Sequence, residues 1–490
     1  MWERLNSVEL ISGPARVPLY DTSKHGTGIV HIGIGAFHRA HQAVMTDDAI
    51  AANGGDWRIV GVSLRSKDLA QCLNEQNGLY TLIERARAGI RSRIIGSIDR
   101  VIAADPDATL QALSNPNIRV VTLTVTEKGY GINRTSGMPD PTDPVVATDL
   151  ACPQTPSGVL GLLVEALRRR RTNGHPALTI LSCDNLPNNG ELLRRGTIGF
   201  ARSIGNDDLA EWIDQNIAFP SSMVDRITPA ATKETLVEAS RQTGCDDRAA
   251  IETEPFVQWV IEDKFVSGRP KWEAGGAVFV DDVAPYEHMK LTMLNGAHSM
   301  MAYAGFLLGR KYVRDVMAHA DLATLVERHL TSAAALLAPL PGIDFGDYGV
   351  ALIDRFANPT IAHETYQIAS DGSQKMPQRV FEPALNALAS DQTVRPFAFA
   401  TAMWMRFCIG RTDRGDAYEI RDPRSDELNQ AASLPGRNAV EIIAAFNELP
   451  SLIPRALKSN KKWNTELESA LSDILLSGAA EATRIEALSN

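Results

Sequence analysis

The sequence predicts an α/β fold in two parts, a parallel-sheet domain over residues 1–280 and a mainly α-helical domain over 281–490. Three observations carry this. Strand-like and helix-like segments alternate through the first half. A glycine-bearing turn follows the first apolar run. From Pro285 onward, helical periodicity rich in Ala, Leu and Met takes over, broken by loops such as Pro339-Leu340-Pro341-Gly342.

In chain order, Gly28-Ile29-Val30-His31-Ile32-Gly33 reads as the first strand, and a helix from Phe37 to about Ala52 follows it. Arg58–Leu64 reads as the second strand, with further strands at Arg93–Ile98, Arg119–Val125 and Ala177–Ser182. Ser157–Arg171 is amphipathic, and its Arg168–Arg171 run reads as cations at a helix C-terminus. No internal repeat interrupts this pattern.

Composition narrows the function. The formal net charge is −10 with no long basic stretch, which argues against a nucleic-acid binder. No uncharged apolar run approaches the ~20 residues of a membrane helix, and the first residues lack a secretory apolar core. The five cysteines, Cys72, Cys152, Cys183, Cys245 and Cys408, are scattered without metal-ligand spacing, and no HExxH motif occurs. The expectation is a cytoplasmic enzyme with no metal and no obligatory protein partner. Cys183 is expected to be a small core residue.

Gly33-Ile34-Gly35-Ala36-Phe37-His38 joins the first strand to a helix. The first glycine permits a tight turn, and the second lets backbone N–H groups approach a pyrophosphate. This predicts a Rossmann-type dinucleotide-binding domain, with His38 in place of the usual third glycine. After the second strand come Arg65-Ser66-Lys67-Asp68. Asp68 can accept from ribose hydroxyls and favour NAD, whereas Lys67 and Arg65 can neutralise a 2′-phosphate and admit NADP.

Three segments concentrate polar groups among apolar neighbours: Ser182–Gly190, Phe219–Pro229 and Tyr286–His298. On an α-helix, Asn295 lies about 140° from Lys290, with His298 between them, so all three can face one cleft. A desolvated lysine is suited to general-base work, and carboxamides can hold an alkoxide. Together they allow alcohol oxidation without metal. A non-catalytic nucleotide-binding protein would keep Gly33 and Gly35 but would not need Lys290, Asn295 and Asn185.

These motifs resemble the long-chain mannitol dehydrogenase family, which includes polyol dehydrogenases and fructuronate reductase (D-mannonate oxidoreductase). The similarity is carried by Gly33–Ala43, Thr124–Tyr130, Ser182–Asn185, Ile217–Pro229 and Lys290–Ser299. It implies that Gly33, Gly35 and Phe37 serve the cofactor turn and that Asp68 selects the adenosine ribose, with Lys67 standing where a second acid is common. It implies Lys290 as general base, Asn185 and Asn295 as holders of the reacting oxygen, and His298 and Asp225 as substrate-hydroxyl ligands. Glu127 and Glu287 are implied to lead the proton to solvent. The stretch Gln367–Arg379 looks more like the uronate reductases, and Lys375 and Arg379 can bind a carboxylate. The expected reaction is hydride transfer between NAD(P) and the C2 (ketose numbering) alcohol or ketone of a small-molecule sugar acid or polyol. Fructuronate/mannonate is the leading pair, and mannitol 2-dehydrogenase or a related polyol dehydrogenase is the alternative.

Overall fold

Five strands, β1 (Thr27–Ile32), β2 (Arg58–Ser63), β3 (Ile98–Ala103), β4 (Val120–Leu123) and β5 (Thr179–Ser182), form one sheet in the order β3-β2-β1-β4-β5. Every neighbouring pair is parallel. The computed structural model describes residues 2–133, 136–433 and 438–489; the side chains of 127 and 128 also lie outside the described set. Side chains alternate across the sheet. Val30, Val60, Val121 and Ile180 enter one core with the helices Pro106–Ser114, Val159–Thr172 and Asn189–Ser203. Ile29, Ile59, Val120 and Leu181 enter the other, against the helix Gln42–Asn53. Burial on both faces explains why these strands read as nearly unbroken apolar runs.

The strand order reverses between β1 and β4. In open α/β sheets, ligands bind in the crevice at the carboxyl ends of the strands beside such a switch point. This is the Rossmann-type arrangement that the sequence predicts.

Two local expectations are corrected. Arg93–Ile98 is not one strand. Gly89–Ile95 pairs antiparallel with Tyr80–Ala86 in a separate sheet, and Ile98 opens β3. The break falls at Gly96-Ser97, where the Gly96 N–H donates to Asp47 (2.8 Å) and the Ser97 hydroxyl to the Ala43 carbonyl (2.7 Å). The helix after β1 is interrupted at His41 (φ −127°, ψ −88°), whose Nε2 lies 2.9 Å from the Gln258 carbonyl. The Arg168–Arg171 run closes the helix Val159–Thr172 as expected; Arg168 and Arg169 pair with Glu165, and Arg170 is buried and donates to the carbonyls of Leu113, Asn115, Ile118 and Pro176.

The chain separates into two compact units, Met1–Ala284 and Pro285–Asn490. The second is helical. Its central segment, Gly296–Leu307, is buried on nearly every side and packs against Ala320–Ala334 and Arg395–Phe407. Among the described residues, no helix is long and apolar enough to cross a membrane.

Candidate active site

In the first unit, the chain leaves β1 at Gly33, whose φ of +103° is one that side chains rarely adopt. A Cβ there would stand 2.1 Å from the Thr124 carbonyl oxygen, so the turn and the end of β4 touch backbone to backbone. Gly35 is different. A Cβ built on it meets no protein atom nearer than 3.9 Å. Its missing side chain leaves room in a cleft of about 620 Å³, walled in part by Gly33, Gly35, Ser63, Arg65, Thr124 and Gly129. That is the size of a small-molecule site, and the two glycines fit the dinucleotide that the fold class implies.

His38, at the third glycine's position, is fully buried and stacks on His31 with ring centroids 3.3 Å apart. Burial pushes His31 down to about 3 and holds His38 well below the usual imidazole range, with the charge of His31 adding to the latter. A pair of neutral rings therefore fills the space where a glycine would allow closer packing. Phe37 is half-buried and stacks on His41 at 5.0 Å.

After β2, the Ser63 hydroxyl donates to the Ser66 carbonyl (2.7 Å), and Arg65 and Ser66 form part of the cleft wall. Lys67 and Asp68 are exposed at the start of the helix Asp68–Glu75 and stand outside that wall. Of the two cations weighed for a 2′-phosphate, the structure brings Arg65 to the cleft.

Asn185 is exposed on the loop after β5, and Asp225 is buried at the end of the strand Ser222–Asp225. Between Cys183, a core residue as expected, and Asn185 lies Asp184. Its carboxylate accepts from the N–H groups of Val125 (2.9 Å) and Thr126 (3.0 Å) and from the Tyr130 hydroxyl (2.7 Å). Burial raises its pKa, against the pull of those three donors. The side chain of Glu127 lies outside the described residues.

In the second unit, the lysine-bearing helix is not uniformly α-helical. Ala284–Met289 is α, Lys290–Asn295 is a π-helix, and Gly296–Leu307 is α again. The Gly296 N–H reaches the Leu291 carbonyl, five residues back. A π turn holds more residues than an α turn, so Asn295 sits nearer to stacking over Lys290 than the α-helical angle predicts. Lys290, Asn295 and His298 are all buried, and Glu287 is half-buried in the preceding turn.

The amide Nδ2 of Asn295 and the Nε2 of His298 are buried without a hydrogen-bond partner among the described residues. The His298 ring leans on Phe356 (4.8 Å) and meets His363 edge-on (5.4 Å). Burial holds His298 well below the usual imidazole range, and the charges of His363, Arg355, Arg379 and Lys290 push the same way. It is therefore neutral near pH 7. An orphaned buried donor costs stability unless a ligand serves it.

A second π-helix, Pro377–Phe381, carries Arg379 and packs against the first. Gly296 permits the approach, since a Cβ there would lie 3.0 Å from the Arg379 carbonyl oxygen and 2.8 Å from His329 Nε2. Arg379 is half-buried, burial lowers its pKa, and no carboxylate pairs with it among the described residues. Lys375 is committed differently. Its ammonium donates to the carbonyls of Ser370 (2.6 Å) and Ile368 (3.2 Å). His298 thus stands within electrostatic reach of Lys290, Arg355 and Arg379.

Sequence reasoning passes over Asp184, Arg355 and His363. Asp184 stands inside a quoted polar run, but nothing in its spacing shows that it binds the β4 loop. Arg355 and His363 belong to no motif.

Residues 27–274 match the mannitol dehydrogenase Rossmann domain, and residues 282–474 match the mannitol dehydrogenase C-terminal domain. The D-mannonate oxidoreductase of Escherichia coli (strain K12) is 39% identical over 476 residues, 96% of this chain and 97% of that protein. The Pseudomonas fluorescens mannitol 2-dehydrogenase, solved as a ternary complex with NAD and D-mannitol, is 35% identical, with 99% of both chains covered and a TM-score of 0.83. A D-sorbitol dehydrogenase in substrate-free form is 32% identical, covers 99% of this chain and 100% of that one, and has a TM-score of 0.90. The chain belongs to the mannitol dehydrogenase family of oxidoreductases.

Proposed function

We propose that the chain is an NAD-dependent oxidoreductase that interconverts D-fructuronate and D-mannonate. The observation that carries the choice of a sugar acid is Arg379, a half-buried guanidinium with no carboxylate partner among the described residues, close enough to His298 for their charges to interact. A planar two-pronged cation suits a carboxylate and gains little from a hydroxymethyl group. The 39% identity to a D-mannonate oxidoreductase supports the same reading.

Gly33 and Gly35, with Arg65 at the adenosine side, would hold the dinucleotide. When bound, its nicotinamide gives or takes the hydride. Lys290 takes the hydroxyl proton in the oxidative direction and returns it in the reductive one. The orphaned Asn295 amide donates to the reacting oxygen, stabilising the negative charge it carries as the alkoxide. His298, kept neutral by burial, can donate through one ring nitrogen and accept through the other, and so serves a substrate hydroxyl without adding charge. Asn185 is assigned as a further oxygen donor, and Asp225 as an acceptor for a substrate hydroxyl. Glu287, one turn before Lys290, is assigned to proton exit together with Glu127.

A polyol substrate is the second reading, favoured by the mannitol-bound relative. The test is an NADH absorbance assay with fructuronate, fructose, mannonate and mannitol, each with NAD(H) and NADP(H). Fructuronate and mannonate should turn over best. Preference for fructose and mannitol would replace the sugar-acid reading with the polyol one.

A further inference from the structure

We infer that Asp184 is a positioning residue, a carboxylate clamp that fixes the two loops on which Asn185 and Glu127 stand. The inference rests on the site reading above, since it takes those two residues to act in the reaction. Both loops leave the carboxyl ends of neighbouring parallel strands, β4 and β5. One carboxylate joins them. Asp184 Oδ2 accepts from the Val125 N–H (2.9 Å) and the Tyr130 hydroxyl (2.7 Å), and Oδ1 accepts from the Thr126 N–H (3.0 Å).

The β4 loop needs such a restraint. Thr126 has φ +68° and ψ 162°, a region that is essentially restricted to glycine. A β-branched residue stays there only when its surroundings impose it, and the hydrogen bond from its N–H to Asp184 does so. Glu127 is the next residue, so the backbone angle at Thr126 sets the direction in which it leaves the sheet.

The β5 loop is anchored on its other side as well. Asn189 Nδ2 donates to the Asp184 carbonyl (2.9 Å) and to the Ser222 carbonyl (2.7 Å). Asn185 therefore follows a residue held by both its side chain and its main chain.

A carboxyl group suits this work and a carboxamide does not. Its two oxygens face two backbone N–H groups, one each. An asparagine in the same pose presents an oxygen to one of them and an NH₂ to the other. Whichever way the amide flips, one backbone donor faces a donor. Tyr130 adapts, because a hydroxyl can reverse its role and also lies 2.7 Å from Ser182 Oγ.

The experiment compares Asp184→Asn, Tyr130→Phe and Asn185→Ala with wild type. It measures kcat and sugar KM per NADH site, with the sites counted by fluorescence titration. Asp184→Asn should lower kcat on the order of 10- to 100-fold, as expected when a catalytic group is misplaced by part of an ångström. NADH affinity and sugar KM should stay within about threefold of wild type, because the loss falls on the chemical step. The deuterium isotope effect on kcat should rise or reach its full value, which loss of folded enzyme would not produce. Tyr130→Phe should stay within about twofold, since both backbone N–H bonds survive.

A wild-type kcat in Asp184→Asn beside a crippled Asn185→Ala would overturn the clamp alone. Wild-type kcat in both would sink the site reading and the clamp with it. A Tyr130→Phe loss as large as that of Asp184→Asn would also overturn the clamp and assign the effect to core packing. If Asp184→Asn does not fold, Asp184→Glu carries the test. It keeps the charge on a longer arm and should likewise lower kcat at unchanged NADH affinity; a wild-type kcat there would overturn the clamp.

Discussion

Removing Arg379 tests the assignment of substrate class. The guanidinium is half-buried in the second unit, it interacts electrostatically with His298, and it pairs with no acid among the described residues. Truncating a desolvated arginine–carboxylate contact costs roughly 2–5 kcal/mol. At about 1.36 kcal/mol per decade, that is roughly 30- to 5,000-fold in kcat/KM. Because Arg379 is not fully sealed from solvent, Arg379→Ala should fall in the lower part of that range for fructuronate, about 30- to 300-fold. Reduction of fructose, which offers no carboxylate, should change by less than about threefold. Both are read from NADH absorbance under identical conditions. A second consequence concerns stability. Burial disfavours this cation and no acid among the described residues offsets the cost, so Arg379→Met should melt no lower than wild type without substrate. Mannonate should raise the melting temperature of wild type only. Equal losses on fructuronate and fructose, or a clear drop in melting temperature, would show that Arg379 serves the fold rather than the ligand.

Lys290→Ala should lower kcat by about 10²- to 10⁴-fold, with NADH affinity by fluorescence nearly unchanged, as expected for loss of a general base. Arg65→Glu should depress NADP efficiency far more than NAD efficiency, and Lys67→Glu should do so less, because Arg65 forms part of the cleft wall and Lys67 does not; steady-state kinetics with both cofactors decide it. Stability should fall as pH drops below the usual imidazole value of 6.5, because burial holds His31 near 3 and His329 near 4. The unfolded chain binds those protons first, so the stabilisation is complete above 6.5 and is lost towards those folded values. Melting curves from pH 7 to pH 4 should show the fall, and His329→Leu should flatten it.

Alternating apolar runs and amphipathic segments suffice to read a parallel sheet, and Gly33 and Gly35 mark its ligand edge. The break at Gly96-Ser97 is not legible in that pattern, because it depends on Asp47 and Ala43 on a helix distant in sequence. The two π turns are equally silent. Lys290–Asn295 has the composition of any buried helix, and it packs against Pro377–Phe381 where Gly296 lets the two segments meet. An α-helical wheel therefore brings Lys290, Asn295 and His298 to one side while misplacing Asn295 by a fraction of a turn. The Asp184 contacts also depend on tertiary structure, since the carboxylate lies 58 and 59 residues along the chain from the two amides it binds. The bonds of Lys375 are likewise not legible in its polar run: two of its three N–H donors go to main-chain carbonyls.

The most direct measurement of the proposed reaction uses D-mannonate deuterated at the carbon that becomes the ketone of fructuronate. It is incubated with NAD and the enzyme, and the products are weighed by mass spectrometry. The account predicts singly deuterated NADH, unlabelled fructuronate and a primary isotope effect. Mannonate left untouched while mannitol is oxidised, or a label that stays on the sugar, would contradict it.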